Sequence, residues 1–347
     1  MALHCAILSC KPMYINRRGV TGILLKEEIH TTPPERTPLV EGLLYEHSVL
    51  MTTADPAIGK SIIMACAIAQ MSAGLPVFGF LNVPRPLRCY YVPFERGRHE
   101  IIERFRLLET VIPINHDYIT VNDNFIGMDV TNPSHADEII NTIKEDAYAG
   151  VDVFFGDPMY ACVRGGLSND EKASQVTAFS ARIIHEFGCS NWWNHHNVKD
   201  SYANDGTKIS KSDPFYGSIW LKAHATAAYY MGRSENGGTI LEQKKDSIGS
   251  CLSKIILDYD EDTHLCRAVN IQESGIIKDR AVVFLRRCFH EKKSFTFKQF
   301  LAALGGVHSG VSTSYARSII GHPPILDSLT KSMSNGQATL YQVSKII

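Results

Sequence analysis

The segment Val49–Met64, VLMTTADPAIGKSIIM, constrains the fold more than any other part of the chain. An apolar, β-prone run ends in a loop of small residues, Ala54-Asp55-Pro56-Ala57-Ile58-Gly59-Lys60-Ser61, and an apolar helix-like run from Ile62 to Met71 follows. The spacing nearly matches the phosphate loop G-x-x-x-x-G-K-[ST], with Ala54 in place of the first glycine. In such a loop the backbone N–H groups wrap the phosphates, the lysine reaches the β and γ oxygens, and the hydroxyl holds Mg²⁺. Gly-Lys-Ser by itself is a common tripeptide. Its place between a strand and a helix N-terminus, where the helix dipole favours anions, makes Ala54 through Ile62 an expected nucleotide site. The plain alternative is an ordinary strand-to-helix turn.

The 347 residues are 44% hydrophobic, enough for a large core and one large domain with something smaller beside it. No run of 18 or more apolar residues occurs, so no membrane span is expected. At the N-terminus a short apolar patch precedes its basic residues, the reverse of a signal peptide. Nine scattered cysteines without C-x-x-C spacing read as reduced thiols in a cytoplasmic protein, with no zinc site. The net charge of −1 hides an asymmetry: residues 276–347 carry ten Lys/Arg against three Asp/Glu. A basic C-terminal module on an acidic body points to a polyanionic partner.

Taken in order, residues 1–37 show no clear period and end in a proline-rich breaker, the expected arm or linker. Residues 38–272 alternate strands and helices, which implies a mostly parallel sheet covered by helices on both faces. The strands expected there are Val49–Thr53, Leu87–Glu95, Tyr118–Val121, Val151–Asp157, Ser190–His196 and His224–Met231. Between the last two lies a long polar interval, Lys199–Tyr216. Asn236-Gly237-Gly238 and Asp260-Glu261-Asp262-Thr263 mark hairpins, so an antiparallel extension is expected to follow.

From 276 to 347 short helices around Arg280–His290, Thr296–Leu304 and Val311–Ile320 precede a closing hairpin near Asn335-Gly336. A small winged helix-turn-helix-like domain is the expected form, with Arg317 on the recognition-helix position. Such modules bind DNA or mediate protein contacts.

Ligands of open parallel sheets sit beyond the carboxyl ends of the strands. Four strands end there in polar groups: the phosphate loop, Glu95, Asp157, and the pair His195-His196. NTP hydrolysis uses this set. Lys60 neutralises phosphate charge, Ser61 and Asp157 hold Mg²⁺ directly or through water, and Glu95 orients or deprotonates the attacking water. Plainer readings stand beside these. Asp157-Pro158 can simply end a strand, and Glu95 can pair with Arg96 or Arg98. His195 and His196 point to opposite faces, so at most one meets the nucleotide. Trp192 and Trp193 read as packing residues.

The order of phosphate loop, strand-end Glu95, apolar run with Asp157-Pro158, His195-His196-Asn197-Val198-Lys199 and Gly217-Ser218 resembles the RepA-type hexameric replicative helicases of plasmids and phages. These are members of the RecA/DnaB-like ATPases. The resemblance covers about Leu39–Val269. It implies a RecA-like core, ATP and Mg²⁺ as cofactors, Glu95 as catalytic glutamate, and His196 coupling the γ-phosphate state to loops facing DNA. Lys199, Lys208 and Lys211 would face a channel holding single-stranded DNA. The implied assembly is a homo-oligomeric, hexameric ring in which a basic finger from the neighbour completes the site. Lys245 matches the family's finger lysine, whereas Ser247 stands where the arginine is usual. Ala54 and Tyr216 also depart from the pattern, Tyr216 standing where arginine is frequent before Gly-Ser.

These readings lead to an ATP-dependent helicase or translocase serving replication of a mobile element or phage, with other replication proteins as partners. One alternative is an ATP-binding, oligomeric, DNA-associated regulator with weak turnover, which the departures favour. Another is a RecA-like repair or recombination ATPase.

Overall fold

In the computed structural model, the residues described are 14–15, 21–22, 36–167, 169–197, 201–202, 208–209, 219–234, 238–247, 252, 254–269, 281, 284–285, 287–289, 291–304, 313–320, 329–332 and 340–344. The chain divides into two compact units, Met1–Thr37 and Pro38–Ile347. In the first, β1 (Tyr14–Ile15) pairs antiparallel with β2 (Thr21–Gly22).

The second unit opens with a small hairpin, β3 (Pro38–Val40) and β4 (Leu44–Tyr45), over what reads in the sequence as a plain lead-in. The strand expected before the phosphate loop is β5 (Val49–Ala54), buried at every position. The loop delivers the chain into α1 (Lys60–Ser72). Eleven of the 13 residues of α1 are buried, which explains why its sequence is apolar all round rather than on one stripe. Then follow β6 (Cys89–Pro93), α2 (Arg98–Glu109), β7 (Ile119–Val121), α3 (Pro133–Asp146), β8 (Val153–Asp157), α4 (Asp170–Phe187) and β9 (Ser190–His196).

Local chemistry sets the helix ends. Asn132 caps α3 by accepting from Ser134 N at 3.0 Å, with Pro133 in the first helical position, where its missing N–H costs nothing. Asn169 caps α4 through Glu171 N at 2.7 Å, and Gly188 closes that helix at φ 63°.

Two-residue strands β10 (Ser201–Tyr202) and β11 (Lys208–Ile209) pair with each other. A short helix α5 (Ile219–His224), whose last residue is where the expected strand His224–Met231 begins, leads into β12 (Ala227–Arg233). The antiparallel extension is β13 (Thr239–Asp246), β14 (Lys254–Tyr259) and β15 (Cys266–Ala268).

The nine strands form one sheet in the order β15-β14-β13-β12-β5-β9-β8-β6-β7. From β12 to β7 every neighbouring pair is parallel. Helices cover both faces. Trp192 lies in the core that α1 shares with the sheet, and Trp193 in the opposite core beneath α3 and α4. β5 is central, and one strand, β9, separates it from the acid-ended β8. With its antiparallel extension, this mostly parallel, helix-covered sheet is a RecA-like P-loop core.

Near the C-terminus, α6 (Phe297–Ala303) starts with a capping box between Thr296 and Gln299, and α7 (Thr313–Ile320) follows. β16 (Phe295–Thr296), β17 (Leu329–Ser332) and β18 (Leu340–Val343) form a three-stranded antiparallel sheet in the order β16-β18-β17. Phe295, Phe300, Ile319 and Val343 belong to a separate apolar cluster there.

Candidate nucleotide site

The turn from β5 into α1 places its unusual backbone at two positions. Gly59 caps the helix at φ 95°, a region glycine enters without steric cost, and no side chain caps α1. Ile62 and Ile63 donate their N–H groups to Gly59 O at 3.0 Å, which leaves those of Lys60 and Ser61 to meet an anion. Ala57 also has positive φ, 64°. Ala54, the substituted motif position, is not among the positive-φ residues and sits fully buried as the last residue of β5, opposite His196. Alanine at 54 is thus accommodated without strain, and the strain falls on Ala57.

Lys60 is 8% exposed, and its Nζ donates to the carbonyl oxygens of Ala54 at 3.1 Å and Asp55 at 3.2 Å. Burial lowers its pKa, while Asp157, Asp55 and Glu95 act in the opposite direction. The ammonium is a desolvated cation set at the mouth of the loop and facing three carboxylates.

Asp157 ends β8, 4% exposed, and its two oxygens accept from different strands. Tyr91 of β6 donates its hydroxyl to Oδ2 at 2.9 Å, and Asn194 of β9 donates from Nδ2 to Oδ1 at 2.9 Å. Asn194 in turn accepts from Thr52 Oγ1 at 2.5 Å. Burial and the Asp157 charge push the Tyr91 phenol far up, so it stays a donor.

Glu95 lies two residues beyond β6 and is exposed. Arg96 and Arg98 pair with Glu100 and Asp123 at 2.5 and 2.9 Å, not with Glu95. Burial first, then the nearby Glu95 carboxylate, raises the Tyr160 phenol to about 12. The Tyr160 ring meets the His196 ring edge-on at 4.4 Å between centroids. His196 is half-buried, and burial followed by the nearby Lys60 charge lowers its pKa. His195 is fully buried on the other face of β9.

Lys60, Asp157, Glu95 and His196 are therefore brought together at the carboxyl ends of β5, β8, β6 and β9. Ser61 follows Lys60 in the first turn of α1. Lys245 is not brought to this cluster: on β13, it donates to the carbonyls of Lys222 at 2.9 Å and Ala223 at 2.6 Å, capping the C-terminus of α5. Burial and the Lys222 charge lower its pKa. Ser247 is exposed, with its N–H on Thr226 O at 2.8 Å. Arg317 is exposed on α7, its guanidinium 5.4 Å from the centroid of the Phe297 ring. Lys199, Lys211, Tyr216 and Gly217-Ser218 lie outside the described residues, and Lys208 is described only through its backbone pairing with Tyr202.

Beside the loop, on the β12–β15 side, a cleft of about 110 Å³ is lined by Ala57, Ile58, Gly59, Ile62, Ile63, Arg233, Thr239, Leu257, Tyr259 and Cys266. The residues that sequence reasoning missed are Tyr91, Tyr160, Asn194, Asn197, Arg233 and Tyr259. A signal existed for the two asparagines, because Asn is depleted in strands and yet recurs at 191 and 194 within buried β9 and at 197 directly after it.

The residues present suit a magnesium–triphosphate. Gly59 has open space where a side chain would be, the α1 N-terminus is uncapped, and a cation and a buried acid flank it. Ser61 and Asp157 are the side chains that would hold Mg²⁺.

The family model of AAA_25, an AAA domain, matches residues 21–202. No curated protein matches the chain. Among solved structures, a KaiC-like protein from the hyperthermophilic archaeon Pyrococcus horikoshii OT3 aligns at 11% identity with a TM-score of 0.45, over 67% of this chain and 93% of that one. Among the described residues no helix is long and apolar enough to cross a membrane. With the family model spanning more than half of its 347 residues, the chain belongs to the AAA_25 family of AAA domains.

Proposed function

We propose that this chain is a Mg²⁺-dependent ATPase whose turnover drives movement along single-stranded DNA, with the active site completed at the boundary between copies in a ring. The observation that carries the ATPase reading is the convergence of Lys60, Asp157, Glu95 and His196 around an uncapped helix N-terminus. Lys60, already desolvated, exchanges two carbonyl partners for phosphate oxygens. Bound Mg²⁺ would supply charge neutralisation between the phosphates. Glu95, close to Tyr160, is the group that receives the proton of the attacking water. The cleft lined by Arg233 and Tyr259 takes the base and ribose, since it lies on the side of β5 away from Asp157.

The DNA-motor part rests on the His195-His196-Asn197-Val198-Lys199 resemblance, with Lys199, Lys208 and Lys211 as the phosphate-contacting set. The winged-helix reading of residues 276–347, with Arg317 on an exposed helix face, adds a second DNA contact. A regulator with weak turnover is favoured by one observation: Lys245 is committed to α5 within its own subunit, and Ser247 cannot replace an arginine. Loss of a finger arginine lowers turnover by about 10³ to 10⁵ in related NTPases.

Full-length protein assayed for ATP hydrolysis with and without single-stranded DNA tests this reading, with mass measured under the same conditions. DNA-stimulated turnover abolished by Lys60→Ala supports the motor. ATP-dependent ring formation with negligible turnover selects the regulator. Hydrolysis indifferent to Lys60→Ala overturns both.

A further inference from the structure

Asn197, directly after β9, touches three consecutive residues where the chain leaves β5. Its backbone N–H donates to Ala54 O at 3.1 Å, carrying the parallel β5–β9 pairing one step past His196. Its Oδ1 accepts from Thr53 Oγ1 at 2.8 Å, and its Nδ2 donates to Asp55 Oδ1 at 2.9 Å. Asn197 is 7% exposed and Thr53 is fully buried, so the bond between them is sheltered from competing water, while the Asp55 bond lies at the exposed start of the loop.

The chemistry demands an amide. Asp55 as a carboxylate only accepts, so the group facing it must donate, while the group facing the Thr53 hydroxyl must accept. Asparagine offers both from one planar head. Aspartate would place acceptor against acceptor, and an apolar residue would leave a buried hydroxyl without its partner.

Lys60 uses the same two residues from the other side, donating to the carbonyls of Ala54 and Asp55. A lysine that turns towards phosphate gives up both bonds. The three bonds from Asn197 use different atoms or lone pairs and do not depend on Lys60.

We propose that Asn197 is a positioning residue of the phosphate loop, holding Thr53 to Asp55 in the shape that receives a triphosphate and keeping it there once Lys60 has turned to the ligand. This rests on the nucleotide-site reading above. Because the bonds are made in the free and the bound protein alike, their loss weakens nucleotide binding and leaves the chemical step nearly intact.

The test measures ATP affinity by calorimetry, and KM and kcat where turnover allows, for the full chain carrying Asn197→Asp, Asn197→Asp with Asp55→Asn, and Lys60→Ala, each with a thermal melt. Asn197→Asp is expected to raise the dissociation constant and KM roughly tenfold, the scale of one lost hydrogen bond plus a facing like charge. Its kcat should stay within about twofold, the signature of lost uniform binding. Adding Asp55→Asn exchanges donor and acceptor across the pair and should restore affinity, which a general packing defect would not allow. Wild-type affinity in Asn197→Asp, or a folded double variant that is no better than the single, overturns the positioning role. If Lys60→Ala still binds ATP, the nucleotide reading itself fails. If Lys60→Ala loses binding while Asn197→Asp is neutral, the positioning role falls alone.

Discussion

Asn194 Nδ2 donates to Asp157 Oδ1 at 2.9 Å, linking β9 to β8 through two side chains that are both buried. The same amide accepts from Thr52 Oγ1 at 2.5 Å, so one residue ties the strand of the phosphate loop to the strand that ends in Asp157. The strand order puts β9 between β5 and β8, where a side chain on β9 can reach both.

Replacing Asn194 by alanine removes a donor from Asp157 and an acceptor from Thr52, leaving both buried with fewer partners. The cost is expected at about 1–3 kcal/mol per unsatisfied group, with the lower end for Thr52 because its hydroxyl also reaches the Trp193 carbonyl oxygen at 3.5 Å. Urea unfolding of Asn194→Ala against wild type measures it; an unchanged midpoint contradicts the buried network.

Restoring the motif glycine at 54 should not improve the loop. Ala54 is a buried strand residue, and glycine there costs about 0.5–1 kcal/mol of backbone entropy. Ala57 is the strained position at φ 64°, and a left-handed alanine costs about 1–2 kcal/mol. Ala57→Gly is therefore expected to be neutral or stabilising by up to about 1 kcal/mol. Paired melting curves of Ala54→Gly and Ala57→Gly should shift in opposite directions or differ clearly in size.

Gly156 has no room for a side chain. A Cβ placed there would lie 2.1 Å from Cζ3 of Trp193, whose ring stacks on Phe94 at 6.1 Å between centroids. Gly156→Ala is expected to lose about 3 kcal/mol, the overpacking range for a rigid ring in a filled core. Because Phe94 precedes Glu95, nucleotide turnover should fall as well. Trp193→Leu in the same chain makes room and should recover part of the lost stability, read from chemical denaturation.

His196 carries a pKa lowered chiefly by burial and then by the Lys60 charge, from an ordinary value of 6.5. The unfolded chain then takes up a proton near pH 6.5 that the folded chain refuses. Its contribution to stability is complete above that pH and is lost as pH falls through the folded-state value. His196→Gln should flatten the acid side of the stability profile below about pH 6.5, measured by denaturation at each pH. Lys60→Met should raise the folded-state pKa of His196 by removing a neighbouring cation, visible as a shift of its imidazole resonances.

Much of the scaffold was legible because it is written in local pattern. The apolar runs of β5 and β8, the glycine-lysine-serine turn and the hairpin signal at Asn236-Gly237-Gly238 each depend on residues within a few positions of one another. Helix α5 was not legible: six residues with one buried leucine carry too short a period to separate from a strand. Lys245 shows the same limit in a site residue. Its motif position invites a finger role, whereas its ammonium meets the last carbonyls of α5, a helix the pattern did not announce.

What the sequence by itself determined is the inventory: a glycine-lysine-serine turn between a strand and a helix, and acids and histidines at strand ends. Tertiary structure decided which of these meet. The strand order brings Asp157 within one strand of the loop, opposes Ala54 to His196, and turns His195 into the opposite core. It also gave roles to Asn194 and Asn197 that no spacing encodes. The physical reason is range: helix and strand periods follow from neighbouring residues, whereas sheet order is set by burying apolar faces contributed by segments more than a hundred residues apart.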